Sequence, residues 1–263
     1  MRSPRAPRRL GRVLVVVFRV NAAPGAIARA ADALGLPPAE MQVKLWGILP
    51  RVVLATNDAS RAAATVETLE ELGFAAMACD PAAAPSDAER VVARKVELGP
   101  KQIVVWDGGG EQHVCPGGAL ALVVRGVRTH TTVKTVTTSE RRFAPVRAVL
   151  SSGLLLTKTT KKTEVETRDA QEPFLMIHRR DGAPDLILYE RRIDDRLLGA
   201  AMQPSSAANL RLVEDRARVV APGAAFDDRA ARPGFVGGLP ATSVDAVDLA
   251  LFLLVLAHAR GAA

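Results

Sequence analysis

The chain has 263 residues, of which 48% are hydrophobic, 24% charged and 4% aromatic, and its formal net charge is +7. This composition is typical of a globular protein and excludes collagen-like, coiled-coil and wholly disordered chains. At roughly 100–200 residues per domain, the length predicts two domains, each able to bury a core. The two cysteines, Cys79 and Cys115, are too few for a disulfide framework or a CxxC zinc site, and they favour a reducing, cytoplasmic compartment.

Positive charge is concentrated in two segments of the chain. Residues 1–20 contain six arginines and no acid, whereas residues 125–162 contain nine Lys and Arg against one acid, Glu140. The remainder is therefore net acidic, at −7. We interpret residues 1–11 as a basic, disordered arm. A secretion signal is disfavoured, because the apolar run that follows has only six residues and ends at Arg19.

Residues 12–79 predict a small α/β domain with short connections. Helices are expected where a proline precedes regularly spaced apolar residues and a glycine follows them. Strands are expected where β-branched residues cluster. The predicted order is a strand at 12–20, a helix from Pro24, a second helix from Pro37-Pro38, a strand at 51–56, a helix capped by Asn57 or Asp58, and a strand at 74–79.

This β-α-α-β-α-β order carries a resemblance to a known fold. With the segments LGLPPAEMQVKL and ASRAAATVETLEELGFAAMAC, it resembles the C-terminal domain of the ribosomal stalk protein, a fold shared by the Clp protease adaptor. In the stalk family the two-helix element carries lysines that meet translation factors. At the matching stretch this chain has Pro37, Pro38 and Ala39, and only Lys44 is basic. The resemblance therefore implies the fold over residues 12–79 but not factor binding.

The rest of the chain is rich in strand and turn signals, so we expect an α+β protein. Residues 80–89 predict a linker, in which Ser86 and Glu89 could begin a helix, although Val92 and the residues after it favour a strand. Residues 90–220 predict an antiparallel barrel or sheet capped by a helix, a layout that resembles bacterial pleckstrin-homology-like modules. Residues 221–241 predict a second linker.

A last helix is predicted over residues 242–260, capped by Thr242 or Ser243. Its fifteen central residues, Val244 to His258, span about 22 Å, too short to cross a bilayer. Because this helix is apolar on all sides, it needs a cover. The candidates are this chain's own sheet, a second copy in a homo-oligomer, and a membrane surface.

No motif for catalysis, metal binding or a cofactor is found. No serine lies in a Gly-x-Ser-x-Gly turn, and the only close Cys–His pair, His113 and Cys115, offers too few ligands for zinc. The glycine clusters 108–110 and 117–118 lack the Lys-Ser/Thr of a phosphate loop and predict turns. We therefore expect no catalytic residue, no metal and no cofactor. An enzyme whose carboxylates converge only in the fold stays an alternative.

The strands predicted within residues 125–167, which we call the ribbon, are unusual in composition. Eleven of the fifteen threonines and four of the seven lysines lie between Thr129 and Thr167. Polar groups on both faces of these strands predict a two-stranded ribbon in solvent, since neither face suits a core. The candidate anion-binding residues are Arg128, Lys134, Arg141, Arg142, Lys158, Lys161 and Lys162.

The leading functional hypothesis is a non-catalytic binding or adaptor protein. Its ribbon would contact an acidic protein or an anionic membrane surface. Duplex nucleic acid is the alternative partner. Single-stranded nucleic acid is disfavoured, because Phe143 is the only aromatic residue between positions 107 and 173. A further alternative is that the lysines only prevent edge-to-edge aggregation.

Overall fold

The structure, a computed structural model, describes residues 12–21, 23–143, 157–232 and 234–261. Side chains are described for these residues except 130–143, 157–169, 195 and 197. Helices and sheets are both present, so the predicted α+β class is confirmed. The predicted arm, residues 1–11, lies outside the described residues.

The first part of the chain forms a three-stranded antiparallel sheet with three helices on one face. Its elements are β1 Val13–Val20, α1 Ala26–Leu34, α2 Pro38–Leu45, β2 Arg51–Thr56, α3 Ala59–Glu71 and β3 Phe74–Cys79. The sheet order is β2-β1-β3. Asp58 caps α3, because its carboxylate accepts hydrogen bonds from the backbone N–H groups of Ser60 and Arg61. The predicted β-α-α-β-α-β order is therefore confirmed.

The second part of the chain contains two further sheets. A three-stranded antiparallel sheet has the order β5-β6-β7, and a five-stranded sheet has the order β11-β8-β9-β10-β4. The strands are β4 Val91–Val92, β5 Lys95–Leu98, β6 Gln102–Trp106, β7 Gln112–Pro116, β8 Leu120–Phe143, β9 Thr157–Arg179, β10 Leu186–Tyr189 and β11 Ala225–Asp227.

The five-stranded sheet is mixed, not antiparallel as expected. Its two edge strands, β4 and β11, pair in parallel with β10 and β8. Both edge strands reach the sheet through long connections, and only a tight hairpin forces neighbouring strands to be antiparallel. The segment 221–241, expected to be a linker, supplies β11 and also the fully buried Phe235.

Strand β9 runs through Pro173, although a proline is rare inside a strand. Proline has no N–H to donate, so it is tolerated in a sheet where pairing ends. Pairing of β9 with β10 ends at this point, between Phe174 and Tyr189. The Pro173 carbonyl still accepts a hydrogen bond from the Glu190 N–H. Strand β9 can therefore continue past Pro173 as the neighbour of β8 in the sheet.

One hydrophobic core lies between the two sheets of the second part and a helix, α4 Ser206–Val220. Ser205 caps this helix, because its hydroxyl accepts a hydrogen bond from the Ala208 N–H. The core joins apolar side chains of the three-stranded sheet, one face of the five-stranded sheet and the apolar face of α4, among them Ile103, Leu175 and Val213. A helix that closes the β-rich part therefore agrees with the sequence.

The last helix, α5 Ala246–Ala259, is buried on two opposite sides. Leu251 and Leu254 pack on the second face of the five-stranded sheet, whereas Leu249 and Leu253 pack on β1 and its neighbours. The helix begins at Ala246 and is capped by Asp245, not by Thr242 or Ser243. Sheets of this chain thus cover the apolar helix on both sides. A homo-oligomer through this helix stays a prediction.

Contacts divide the chain into two compact units. One contains the described residues up to Val127 and from Pro173 onward, and the other contains Arg128–Glu172. The first unit includes both the small α/β part and the β-rich part, because each of them buries a sheet face on α5. The second unit contains the distal portions of β8 and β9, which are hydrogen-bonded neighbours.

Candidate functional site

The predicted anion-binding residues lie in the two long strands of the second unit. Lys134, Arg141 and Arg142 have their backbones in β8, and Lys158, Lys161 and Lys162 have theirs in β9; the side chains of all six lie outside the described part of the structure. The structure therefore agrees with two paired strands in this segment, and the exposure of their cations stays a prediction.

Two cations near the start of the ribbon have neighbours of their own. Arg128 is half-buried and takes part in an interaction with a neighbouring group. The Arg125 guanidinium lies 3.6 Å from the Glu214 carboxylate and 4.0 Å from the Asp228 carboxylate. Acids of the same chain thus partly neutralise this end of the basic segment. The hypothesis that the ribbon binds an anionic partner therefore depends on the cations from Lys134 to Lys162.

A buried polar network, which the sequence analysis did not find, surrounds Arg90. Its side chain is 2% exposed, and its Nη1 donates a hydrogen bond of 2.5 Å to the Asp248 carboxylate, which is 6% exposed. Nη1 also lies 3.3 Å from Asp87, and Nη2 donates to the Pro85 carbonyl at 2.6 Å. The Tyr189 hydroxyl donates to Asp87 at 2.6 Å. This network ties the segment before β4 to α5 and to β10.

A second polar pair, His178 and Asp185, lies at the turn between β9 and β10. The antiparallel register pairs Ile177 with Leu186, so the next residues along the turn, His178 and Asp185, are opposite each other. His178 Nδ1 lies 2.9 Å and 3.2 Å from the two oxygens of the Asp185 carboxylate. Because an ionised carboxylate only accepts hydrogen bonds, His178 Nδ1 is the donor in this pair.

Arg90 and the His178–Asp185 pair line one cavity of about 160 Å³. The remaining lining residues are apolar: Ala83, Pro85, Met176, Leu251, Phe252 and Val255. None of the described lining residues is a serine, threonine or cysteine, so the histidine has no hydroxyl or thiol beside it to activate. The cavity combines an apolar wall with a few polar groups, as small-molecule binding sites do.

A cluster of Asp107, Glu111 and His113 lies on the hairpin between β6 and β7. One ligand atom from each lies within 4.8 Å of the others. Asp107 Oδ1 already accepts hydrogen bonds from the backbone N–H groups of Gly109 and Glu111, at 2.8 and 2.9 Å, and the Glu111 bond is the main reason that the pKa of Asp107 is lowered. These bonds fit the predicted Asp-Gly turn, so the cluster is explained by the hairpin.

Both cysteine thiols are buried, and we expect them to be unreactive in the folded protein. Burial raises the pKa of Cys79 to about 11, with a smaller contribution from the Asp80 charge. Burial also raises the pKa of Cys115 to about 11, against a smaller opposing effect of Arg179.

The two cysteines are expected to react slowly in the folded protein. The thiolate is the nucleophile, so at pH 8 we expect a disulfide reagent such as Ellman's reagent to react about a hundredfold more slowly than with the unfolded chain. Stopped-flow absorbance checks this, and equal rates in the folded and unfolded states would contradict it.

Comparison of the chain with protein-family models, curated proteins and solved structures finds no match. The resemblances to the stalk C-terminal domain and to pleckstrin-homology-like modules therefore stay predictions. Among the described residues, no helix combines the length and the hydropathy that crossing a bilayer requires.

The sequence signals for these sites differ in strength. Arg90 and Asp248 are 158 residues apart, and nothing local marks either as half of a buried pair. His178 and Asp185 lie seven residues apart on either side of the turn between β9 and β10, so alignment of two strands about that turn is the signal that could have placed them together. The ribbon was found from composition alone, because its threonines and lysines contrast with the Arg- and Ala-rich remainder.

Proposed function

We propose that this chain is a non-catalytic binding or adaptor protein whose ribbon contacts an anionic partner, an acidic protein or an anionic membrane surface. The observation that carries the proposal is the charge of residues 134–162, which contain seven Lys and Arg and one acid. The whole second unit, Arg128–Glu172, contains nine such cations and five acids. Its acids other than Glu140 all follow Lys162, so positive charge is concentrated in the part of the ribbon between Lys134 and Lys162.

The backbone arrangement supports this proposal. Strands β8 and β9 have 24 and 23 residues, much longer than the usual five or six of a globular sheet. Strand β11 pairs with β8 at Leu122–Val124, and β10 pairs with β9 at Phe174–Ile177. Both of these pairings lie in the first unit. A two-stranded segment rich in threonine and lysine is suited to a polar contact and not to a core.

A charge reversal in the ribbon tests the proposal. Each cation near an anionic bilayer contributes about 1 kcal/mol to binding, so Lys158→Glu/Lys161→Glu/Lys162→Glu should weaken binding at least about a hundredfold. The probes are phosphatidylcholine vesicles with or without phosphatidylserine, and polyglutamate as an acidic chain. Sedimentation measures the first and fluorescence anisotropy the second.

A second triple variant, Arg29→Glu/Lys101→Glu/Arg211→Glu, provides the matched control. It changes three exposed cations outside the ribbon, and both variants have a net charge of +1. We expect the control to retain most of the binding. If both variants lose binding equally, the effect is one of net charge. If wild-type protein binds neither anionic probe, the proposal is wrong.

Duplex nucleic acid is the second candidate partner, and it is favoured by the six arginines of residues 1–20, which have the same sign as the ribbon. A protein that neutralises several phosphates binds duplex DNA less tightly as salt rises, with a logarithmic slope of about −0.9 for each phosphate. Filter binding of duplex DNA at two salt concentrations checks this. A flat salt dependence would remove duplex nucleic acid as a partner.

The compartment belongs to the same proposal. Cys79 and Cys115 are both free and buried. Free thiols agree with a reducing environment, and we therefore propose a cytoplasmic location.

A further inference from the structure

A groove of about 670 Å³, which we call the Trp46 groove, lies between the small α/β part and the segment 234–240. One wall contains residues 43 and 44 of α2, Trp46 and the first two residues of β2, and the other contains residues 234 and 237–240. All of them belong to the first unit. A cavity of about 150 Å³ already holds a benzene ring, so this groove has room for several side chains of a partner.

The α2 wall of the Trp46 groove exposes two large apolar side chains. Trp46 is 79% exposed, the highest fraction among the large hydrophobic residues that the structure describes, and Val43 is 68% exposed. Both line the groove, so the two form one apolar wall. Tryptophan and arginine are enriched among the residues that contribute most to binding at protein interfaces. An exposed tryptophan beside an arginine in a groove therefore indicates a contact surface for another molecule.

Positive charge in the groove has little internal compensation. The half-buried Arg51 guanidinium occupies space left by Gly47 and Gly238, since a Cβ atom at either glycine would overlap its terminal nitrogens. Its Nη2 donates a hydrogen bond of 3.4 Å to a backbone carbonyl of the opposite wall, and no described carboxylate forms an ion pair with it. Lys44, the other cation of the lining, lies 3.7 Å from Glu40. The lining contains no acid, so an anionic group is the complementary one.

The groove lies beside a free sheet edge. Strand β2 is an edge strand in the order β2-β1-β3, and the lining contains residues of β2 but none of β1 or β3. Among the described residues, no backbone group outside the sheet forms a hydrogen bond with the backbone of β2. An unpaired edge of this kind accepts an extended chain as an additional strand. The position of the groove is therefore suited to an extended peptide segment.

We propose that the Trp46 groove binds an extended segment of a partner protein in which acidic residues flank an apolar side chain. The apolar side chain packs on Trp46 and Val43, and the positive charge of Arg51 and Lys44 attracts the flanking carboxylates. The groove belongs to the first unit, whereas the ribbon cations from Lys134 to Lys162 belong to the second. The two binding surfaces can therefore be tested separately.

Fluorescence of Trp46 tests the proposal on the full chain. The chain has two tryptophans, so in a Trp106→Phe background Trp46 is the only one, and a bound peptide that covers it should shift its emission to shorter wavelength. The probes are the acidic peptide GSDEFDLEGS, its neutral counterpart GSNQFNLQGS and its basic counterpart GSKRFKLKGS. We expect the acidic peptide to bind about tenfold more tightly than the neutral one, because two surface charge contacts add about that factor. The basic peptide should bind most weakly.

Three outcomes of this titration would overturn the proposal. The first is the absence of an emission shift with the acidic peptide at millimolar concentration. The second is tighter binding of the basic peptide than of the acidic one. The third is tighter binding of a thymidine oligonucleotide than of the acidic peptide, since stacking of bases on Trp46 would then make the groove a nucleic-acid site.

Matched variants locate the binding. Val43→Glu places an acid in the groove, so it should weaken binding of the acidic peptide at least about tenfold. Val219→Glu is the control, because Val219 is also a helix residue, is 67% exposed and does not line the groove. Equal losses in the two variants would contradict a site in the groove.

The ribbon variant Lys158→Glu/Lys161→Glu/Lys162→Glu separates this proposal from that for the ribbon. It should bind the acidic peptide with the same emission shift as the unchanged ribbon. If the ribbon variant loses the peptide and Val43→Glu retains it, the peptide binds the ribbon and the groove proposal is wrong, although the ribbon proposal stands.

Discussion

Replacement of Arg90 by methionine is expected to lower the free energy of unfolding by about 3–5 kcal/mol. The Arg90 and Asp248 side chains are 2% and 6% exposed, and their ion pair has an N···O distance of 2.5 Å. Loss of the guanidinium leaves the Asp248 carboxylate buried without its counter-charge, which is more costly than loss of an exposed ion pair. Urea denaturation followed by circular dichroism measures the change.

A double replacement separates the charge from the packing. Because Arg90→Met/Asp248→Leu removes both charges, it should recover most of the stability lost in the single variant. Arg211→Met, at an exposed position of α4, should change the free energy of unfolding by less than about 0.5 kcal/mol. A double variant as unstable as the single one would show that the buried charge is not the cause.

Truncation of either face of α5 is expected to destabilise both parts of the first unit. Leu253 is fully buried against β1 and its neighbours, and Leu254 is fully buried against the five-stranded sheet. Each leucine-to-alanine change in such a site costs about 2–5 kcal/mol, because the cavity left behind collapses only partly. Since the two sheets share this helix, we expect Leu253→Ala and Leu254→Ala each to shift one common unfolding transition.

The two tryptophans make this coupling measurable. Trp46 follows α2 in the small α/β part, and Trp106 ends β6 in the β-rich part. Fluorescence of Trp46→Phe and Trp106→Phe backgrounds therefore reports each part separately. Val219→Ala, at a residue that is 67% exposed, is the control and should leave both midpoints unchanged. If Leu253→Ala moves only the midpoint that Trp46 reports, the two parts unfold independently and the expectation is contradicted.

The small α/β part was predicted almost completely, because its signals are local. Pro38 begins a helix and Gly35 follows one, and each lies next to the residues whose conformation it decides. Asp58 caps α3 through bonds to residues two and three positions along the chain. Such interactions are complete within a few residues, so the sequence contains all that is needed to recognise them.

The edge strands and the continuation of β9 through Pro173 could not be predicted from local sequence signals. Strands β4 and β11 have two and three residues, and they are strands only because a longer strand is beside them. Pro173 is typical of a break, yet β9 passes through it because pairing with β10 ends at that residue. In both cases the neighbour that decides the conformation is distant in sequence.

The ribbon was predicted from composition, and the structure agrees with two paired strands there. Its threonine and lysine content excludes a core wherever it lies, so the distribution of residues along the chain was sufficient. The contacts of Arg125 with Glu214 and Asp228, in contrast, needed the fold, since those acids are about 90 and 100 residues away in sequence.

By itself, the sequence determined the α+β class, the elements of residues 12–79, the closing helix α4 and the basic segment, because hydrophobic period, capping residues and charge act at short range. Tertiary structure alone decided that α5 lies between two sheets, that Arg90 meets Asp248, and that Arg90 and His178 line one cavity. In the sequence, an apolar helix indicates only that another surface must cover it, and a charged residue indicates only that it needs a partner. Which surface and which partner depend on long-range packing, because the fold brings together residues that are far apart in the chain.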